Sequence, residues 1–209
     1  MSLKNWDNKT WLSSRDYIFS FNNFLLKNID LNQNSQILDI GCGRGKILGN
    51  LASKLRLKKR PIGIDIELHK DKDKRIIFKK VDAIKYLLKN EKKFDLILIK
   101  QTIHLLEFKE IRRLLFLCTK RLQPGGKVMI FTLETSQNEI PTFFRMKKKL
   151  KISLNRDKKI LQFISKLHPN NLLSRFSFKV KITRRKYIKM IKNRYISTLL
   201  NFNAEDISK

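Results

Sequence analysis

The sequence has few acidic residues, few cysteines and no long apolar run, and each shortage excludes a class of protein. Two cysteines, Cys42 and Cys118, are too few for the disulfide framework of a small secreted domain. The most apolar stretch, residues 94–99, suits a strand and is far too short to cross a bilayer. The first residues lack the apolar core of a signal peptide. We therefore expect a cytoplasmic protein without a transmembrane segment.

The shortage of acids leaves a large positive charge. The 47 Lys and Arg residues face only 18 Asp and Glu, which gives a formal net charge of +29. A field of this sign attracts anions such as nucleic acids, acidic metabolites or membrane surfaces. The chain is also rich in Lys, Asn and Ile, so a compositional bias is the alternative explanation. With 209 residues, 42% of them hydrophobic, the chain can form one domain with a proper core.

Three closely spaced glycines interrupt an apolar stretch between residues 37 and 48. Residues 37–40 predict a buried strand, and the spacing of the next apolar residues predicts one face of a helix: Ile47, Leu48, Leu51 and Leu55. Glycines between the two let the backbone turn and let a ligand approach closely. This arrangement predicts a ligand loop at the carboxyl end of the first strand of an α/β sheet.

The residue types in the loop narrow the choice of ligand. Lys46 occupies the position where dinucleotide-binding loops need glycine or alanine, and no Walker pattern is present. With Asp39 the loop has the pattern acidic-x-Gly-x-Gly-x-Gly, which resembles the first motif of the class I S-adenosylmethionine-dependent methyltransferases. The resemblance covers roughly residues 35–134. Within this family the chain resembles the small-molecule type, and in particular the carboxylate-methylating and quinone-methylating members.

The resemblance implies a Rossmann-like three-layer α/β sandwich, with a mostly parallel, doubly wound sheet and helices on both faces. The alternation of strands and helices through five strands supports the same fold. It also implies S-adenosylmethionine as the cofactor. Gly41, Gly43 and Gly45 would border its methionine part, with Asp39 bracing the loop and Cys42 within it.

A second acid lies at the end of the next predicted strand, residues 61–67. Asp65 lies twenty residues beyond Gly45, a separation at which a carboxylate can meet ribose hydroxyls. In the family the matching acid binds the ribose, and Ile66 would lie beside it. Glu67 competes for the same role, and a cap or a solvated loop acid is the alternative. Residues 68–75 are a charged loop.

Further cofactor contacts follow from the third and fourth strands. In the family, an acid and a small residue after the third strand contact the adenine, and Asp82 and Ala83 stand there after residues 76–81. Asp82 is equally suited to cap the helix that begins at Ala83. Lys100 and Gln101 follow the fourth strand, residues 94–99, and would lie beside the transferable methyl group.

His104 is the candidate catalytic base. Methyl transfer from a sulfonium needs a positioned nucleophile and sometimes the removal of a proton. A histidine just after the fourth strand recurs in family members that act on small molecules and quinones. Packing at a helix start is the alternative role. The sequence lacks both the Asn/Asp-Pro-Pro-aromatic motif and a Pro-Cys nucleophile, which argues against a nucleic-acid substrate.

The resemblance weakens in the last third of the chain. We assign residues 1–134 to an N-terminal helix and cofactor-binding core, and 135–209 to a substrate lid of the same domain. Residues 157–167 predict a helix, 176–182 a sixth strand, and Thr183 the cap of a last helix. No convincing seventh strand is found. Residues 145–194 hold 18 Lys and Arg against one acid, Asp157.

Two functions remain in competition. The first is methyl transfer in line to O or N of a small anionic molecule, with these candidate substrate contacts: Tyr17, Arg145, Tyr187, Arg194 and Tyr195. The second is an RNA methyltransferase or RNA-binding module that uses the basic C-terminal surface with interleaved aromatics. No added RNA domain is visible, so we favour the first. A cofactor binder without catalysis is a third reading. No metal site is expected.

Overall fold

The computed structural model describes residues 11–133, 143–193, Leu199 and Phe202. It divides into two compact units, Ile18–Thr132 and the combination of Met1–Tyr17 with Leu133–Lys209. Arg194 and Tyr195, two of the expected substrate contacts, lie outside the described residues. The assignment of separate roles to residues 1–134 and 135–209 stays a prediction.

The first unit, Ile18–Thr132, is built on a parallel sheet. Its strands are β1 (Ile37–Ile40), β2 (Ile62–Asp65), β3 (Ile77–Lys80), β4 (Phe94–Lys100) and β5 (Leu122–Phe131). They are arranged in the order β3-β2-β1-β4-β5, and every neighbouring pair is parallel. The central strands β1 and β4 are almost wholly buried. A strand buried on both faces requires a continuous apolar run, which explains why these segments do not alternate.

Helices cover both faces of this sheet. Helix α2 (Lys46–Leu55) connects β1 to β2, toward one edge, while α3 (Ala83–Lys89) and α4 (Phe108–Lys120) accompany crossovers toward the other edge. Because such crossovers are right-handed, α2 lies on one face and the other two lie on the opposite face. The expected Rossmann-like, doubly wound α/β fold is confirmed. The reversal of direction at β1 and β4 creates a crevice at their carboxyl ends, where such sheets bind ligands.

Helix α1 (Arg15–Asn28) joins the α2 side of the sheet through its part in this unit. The buried Asn22 side chain donates to the Ile47 carbonyl oxygen (3.1 Å) and to the Asn50 side-chain oxygen (2.8 Å). At the start of α1 the Ser14 hydroxyl oxygen accepts from the Tyr17 backbone N–H at 3.3 Å, so this serine caps the helix.

Strand β5 is longer than the sequence predicts. We expected a turn at residues 124–126 and a strand from Lys127, but β5 begins at Leu122 and includes that turn. Pairing with β4 shifts register between Phe94 and Leu96, and a Cβ at Gly126 would lie 2.7 Å from the Phe94 carbonyl oxygen. β5 is the last strand in the sheet order, where Pro and Gly are tolerated at an irregularity.

The second unit contains α5 (Phe144–Leu167) and α6 (Arg184–Lys192). The helix expected over 157–167 is the second half of α5. Thr183 caps α6 as expected, because its hydroxyl oxygen accepts from the Lys186 N–H (3.3 Å). The buried cluster of this unit comprises Met146, Met190, Leu199 and Phe202.

The sixth strand expected over 176–182 is wrong. Exposure does alternate from residue to residue there, but no strand is formed and none of the described residues pairs with this segment. The rings of Phe176 and Phe178 instead meet the Tyr17 ring edge-on, with centroids 5.7 and 5.2 Å away. An alternating pattern shows only that one side of a segment is buried. The segment forms part of a sheet only when a neighbouring strand pairs with it.

Among the described residues, no helix has the length and apolar character needed to cross a membrane.

Candidate functional site

The glycine loop after β1 is pinned to the end of β2. The backbone N–H groups of Gly41 and Cys42 both donate to the Ile64 carbonyl oxygen, at 2.9 and 3.1 Å. Gly41, Gly43 and Gly45 have φ values of +71°, +54° and +70°, in the left-handed region that favours glycine. A Cβ at Gly41 would lie 2.0 Å from the Thr102 hydroxyl oxygen. The glycines therefore fit the loop to its neighbours as well as to a ligand.

The Asp65 carboxylate connects this loop to the loop after β2. Its Oδ2 accepts from the Gly43 backbone N–H and its Oδ1 from the Glu67 backbone N–H, each at 2.9 Å. Glu67, the competing acid, contributes only its backbone to this arrangement. The side chain of the neighbouring Ile66 is 60% exposed. Asp65 thus stands at the end of β2, with each oxygen able to accept one more hydrogen bond.

Asp39 is buried under the loop on the central strand β1. Burial raises the pKa of its carboxyl to about 7, the Lys100 charge opposes this rise, and the Asp65 charge adds to it. Lys100 lies at the end of neighbouring β4, with its ammonium 5.4 Å from the centre of the Phe21 ring. A cation beside a sulfonium is repelled by it, but Lys100 has an acid and an aromatic ring near it.

The residue directly after β4 has a backbone conformation that few residues other than glycine adopt. Gln101 has φ +55°, uncommon for a residue with a Cβ, and its N–H donates to the Phe131 carbonyl oxygen (2.9 Å). Such residues are concentrated at functional sites. A short 3-10 helix, Ile103–Leu105, follows at once and carries the half-buried His104. His104 is thus at the carboxyl end of the sheet, as expected.

Asp82 and Ala83 follow β3 at the same end of the sheet. The Asp82 carboxylate accepts from the Lys85 backbone N–H at 2.9 Å, so its expected role as the N-cap of α3 is confirmed. Ala83 is half-buried beside it. A contact of either residue with adenine stays a prediction.

The other expected substrate contacts belong to the second unit. Tyr17 is buried between the rings of Phe176 and Phe178, and burial raises the pKa of its hydroxyl. Tyr187 packs against that unit's buried cluster, while Arg145 is exposed in the first turn of α5. The structure therefore gives the two tyrosines packing roles within their own unit. Their role toward a substrate stays a prediction.

His69 is the residue near the site that the sequence analysis missed. It is only 5% exposed, and its Nε2 lies 3.8 Å from Asp65 Oδ1. Neither ring nitrogen has a hydrogen-bond partner among the described residues. We treated its segment as a charged loop, and the only available signal was its position four residues after Asp65.

Asp73 fastens the loop that carries His69 onto the start of α2. Its N–H donates to the Arg44 carbonyl oxygen (2.9 Å), and its carboxylate accepts from the Arg75 guanidinium at 2.8 and 2.7 Å. Lys46 Nζ lies 3.8 Å away. Burial of Asp73 acts against its charge, yet the Arg75 hydrogen bonds and charge and the Lys46 charge keep its pKa below the ordinary value. A Cβ at Gly49 would lie 2.4 Å from this carboxyl group, so α2 needs glycine there.

Comparison with known proteins provides evidence on the family of this chain that is independent of the site geometry. A family model described as "Methyltransferase domain" matches residues 31–164. No curated protein sequence matches significantly. The plantazolicin methyltransferase BpumL, solved with S-adenosylhomocysteine, has 19% identity and a TM-score of 0.52, over 95% of this chain and 83% of BpumL. The N-methyltransferase NodS of Bradyrhizobium japonicum has 20% identity and a TM-score of 0.45, over 57% of this chain and 63% of NodS.

Asp39 should make the free energy of unfolding depend on pH. Its carboxyl pKa is about 7 in the folded protein against an ordinary 3.8, so between these values the folded protein keeps a proton that the unfolded chain loses. The free energy of unfolding should be highest below about pH 4 and should fall as the pH rises to about 7. Asp39→Asn should flatten this dependence, measured by chemical denaturation of the ligand-free protein from pH 4 to 8.

Asp157→Asn is the matched control. Burial raises the pKa of Asp157 to about 6, with the Arg156 charge opposing. Asp157→Asn should therefore remove the part of the pH dependence of the unfolding free energy that ends near pH 6, one pH unit below the part due to Asp39. An Asp39→Asn protein that keeps the wild-type slope between pH 6 and 7 would show that Asp39 is not the group that titrates there.

Proposed function

This chain belongs to the methyltransferase-domain family, and we propose that it methylates an oxygen or nitrogen atom of a small anionic molecule. As a member of this family it is an enzyme that uses S-adenosylmethionine. The observation that carries the proposal is the glycine loop held by Asp65 at the crevice of the sheet. Its location in the cytoplasm stays a prediction of the sequence.

The residues present fit this cofactor. The left-handed glycines leave the loop without side chains where a ligand has to approach, and the Asp65 carboxylate faces the same loop. We assign the methionine side of the cofactor to Gly41, Gly43 and Gly45 with Cys42, and the ribose to Asp65. The adenine side is assigned to Ile66, Asp82 and Ala83. Asp39 would brace the loop from below, and Lys100 and Gln101 would border the reacting end.

The cofactor supplies a methyl group on a sulfonium that is already activated for displacement, so the protein has to orient the acceptor and manage its proton. His104 is the residue suited to accept that proton, because it follows β4 directly and is only half-buried. An acceptor that is already a carboxylate would need no base. In that case His104 would orient the substrate.

Charge supports an anionic acceptor. Lys100 places an ammonium at the end of β4, and the second unit, taken by itself, is also rich in cations, including Arg145 on α5. Arg194, outside the described residues, remains the third proposed contact. RNA is the competing acceptor, because α6 begins with three exposed cations, Arg184, Arg185 and Lys186. Cations at a helix N-terminus are unfavourable by about 0.3–1 kcal/mol each unless an anion meets them.

Loss of Asp65 should weaken cofactor binding. Asp65→Ala removes the acceptor proposed for the ribose and also leaves the Gly43 N–H without its partner, at a cost of roughly 1–3 kcal/mol in affinity. Gly43→Val should be worse, because a branched residue cannot adopt φ +54° without strain. Calorimetric titration with S-adenosylhomocysteine measures both. Glu67→Ala is the control and should bind like wild type. A wild-type protein that binds nothing would refute the proposed function.

Loss of His104 should affect turnover alone. If His104 removes a proton, His104→Ala should lower turnover by about 10²–10⁴-fold and leave the affinity for S-adenosylhomocysteine unchanged. Small-molecule extract with isotopically labelled S-adenosylmethionine provides the assay, and mass spectrometry identifies the product. Equal losses of affinity and turnover would mark His104 as structural. Unchanged turnover would indicate an acceptor that needs no base.

Substitution of the exposed cations of α6 distinguishes a small-molecule acceptor from an RNA acceptor. Substituting Arg184, Arg185 and Lys186 together by Ala should weaken RNA binding and spare methylation of the small molecule. RNA held by a broad basic surface releases counterions, so its affinity should fall steeply between about 50 and 300 mM salt. The measurements are binding of mixed RNA across that range and turnover of the same variant. Tight RNA binding at the highest salt, together with lost activity in the triple variant, would favour RNA as the substrate.

A further inference from the structure

We propose that His69 is a positioning residue that holds the Asp65 carboxylate in place for the ribose of the cofactor. The inference rests on the proposed function, and it adds a residue to the site. His69 would act through Asp65, by donating a hydrogen bond from Nε2 to Oδ1.

Two backbone N–H groups hold the Asp65 carboxylate, and the His69 side chain lies close to it without forming a hydrogen bond. Gly43 N–H fixes Oδ2 from the β1 side, and Glu67 N–H fixes Oδ1 from within the loop. His69 Nε2 approaches the same Oδ1 at 3.8 Å, which is too long for a hydrogen bond and within the range of an ion pair. A movement of less than 1 Å would close the contact. The imidazole is thus the only donor side chain of the described loop residues that the structure records beside this carboxylate.

The burial of His69 gives this contact a driving force. With 5% of its surface exposed and neither nitrogen hydrogen-bonded within the described part of the chain, the imidazole has lost water without gaining a partner there. A buried polar group without a partner is costly, and such groups in folded proteins call for an explanation. The ring also meets the Phe78 ring edge-on, with centroids 6.3 Å apart, a contact that satisfies neither nitrogen. Closing onto Asp65 would satisfy one nitrogen and fill the last acceptor site of Oδ1, which would leave Oδ2 to receive a ribose hydroxyl group.

The loop around His69 is built to keep the ring in place. Asp73 ties the loop to the Arg44 carbonyl oxygen and to the side chains of Arg75 and Lys46. The absence of a Cβ at Gly49 lets the Asp73 carboxyl group pack closely against α2. A residue that positions another must itself be fixed, and this loop meets that condition.

The two imidazole nitrogens can be tested separately with two amides. In His69→Gln the amide nitrogen reaches the position of Nε2, which faces Asp65, whereas in His69→Asn it reaches only that of Nδ1. We expect the Gln variant to bind S-adenosylhomocysteine within about threefold of wild type. The Asn variant should bind about tenfold more weakly, as expected for a lost hydrogen bond to a charged group. Calorimetry gives the affinities, and thermal unfolding checks that both variants fold.

A double-variant cycle with Asp65→Ala tests whether His69 acts through Asp65. In that background His69→Asn should cost no further affinity. An equal tenfold loss with and without Asp65 would overturn the proposal, and so would wild-type affinity in the Asn variant. Should the Asn variant fail to fold, His69→Met, which keeps the length without a donor, gives the same comparison. A wild-type protein that binds no S-adenosylhomocysteine would instead overturn the proposed function itself.

Discussion

The hydrogen bond from Gly43 to the Asp65 carboxylate is the constraint on which the site depends. It joins the turn after β1 to the end of β2, and the second carboxylate oxygen extends the connection to Glu67. Because β1 is the central strand and reverses the direction of the crossovers, the same contact fixes the edge of the ligand crevice. Neither loop has regular secondary structure of its own. Their shared carboxylate replaces the backbone pairing that a longer strand would supply.

Local signals in the sequence predicted this part of the molecule well. The change from a buried run to glycines and then to a helical stripe located β1, the loop and α2. The caps at Asp82 and Thr183 were predictable because each depends on residues three positions apart. Long-range pairing was not predictable in this way. The length of β5 depends on β4, and the alternation over 176–182 has no partner strand among the described residues, which no local pattern could reveal.

His69 and Lys100 show why the site was only partly predictable. A histidine in a charged loop has no periodicity, so only the fold reveals that it is buried beside Asp65. Lys100 looked unfavourable when considered with a sulfonium alone. The fold places it near Asp39, whose pKa its charge lowers against the effect of burial. Lys100 takes its role from a neighbour on another strand, which sequence distance does not report, and His69 takes its role from a burial that its spacing from Asp65 does not reveal.

The net charge of +29 is best understood from where the few acids are. Asp39 and Asp73 are buried, Asp82 caps α3, and the Asp95 carboxylate accepts from the Gln36 N–H at 2.6 Å. Asp82 and Asp95 bond to the backbone and Asp73 pairs with Arg75 and Lys46, so these acids neutralise only a small part of the 47 Lys and Arg residues. Exposed charges are screened over about 8 Å at physiological salt, whereas the field in the crevice is set by groups in direct contact with it. The overall charge therefore bears on encounter with anions, and the proposed anionic substrate would be selected at short range by cations such as Lys100 at the end of β4.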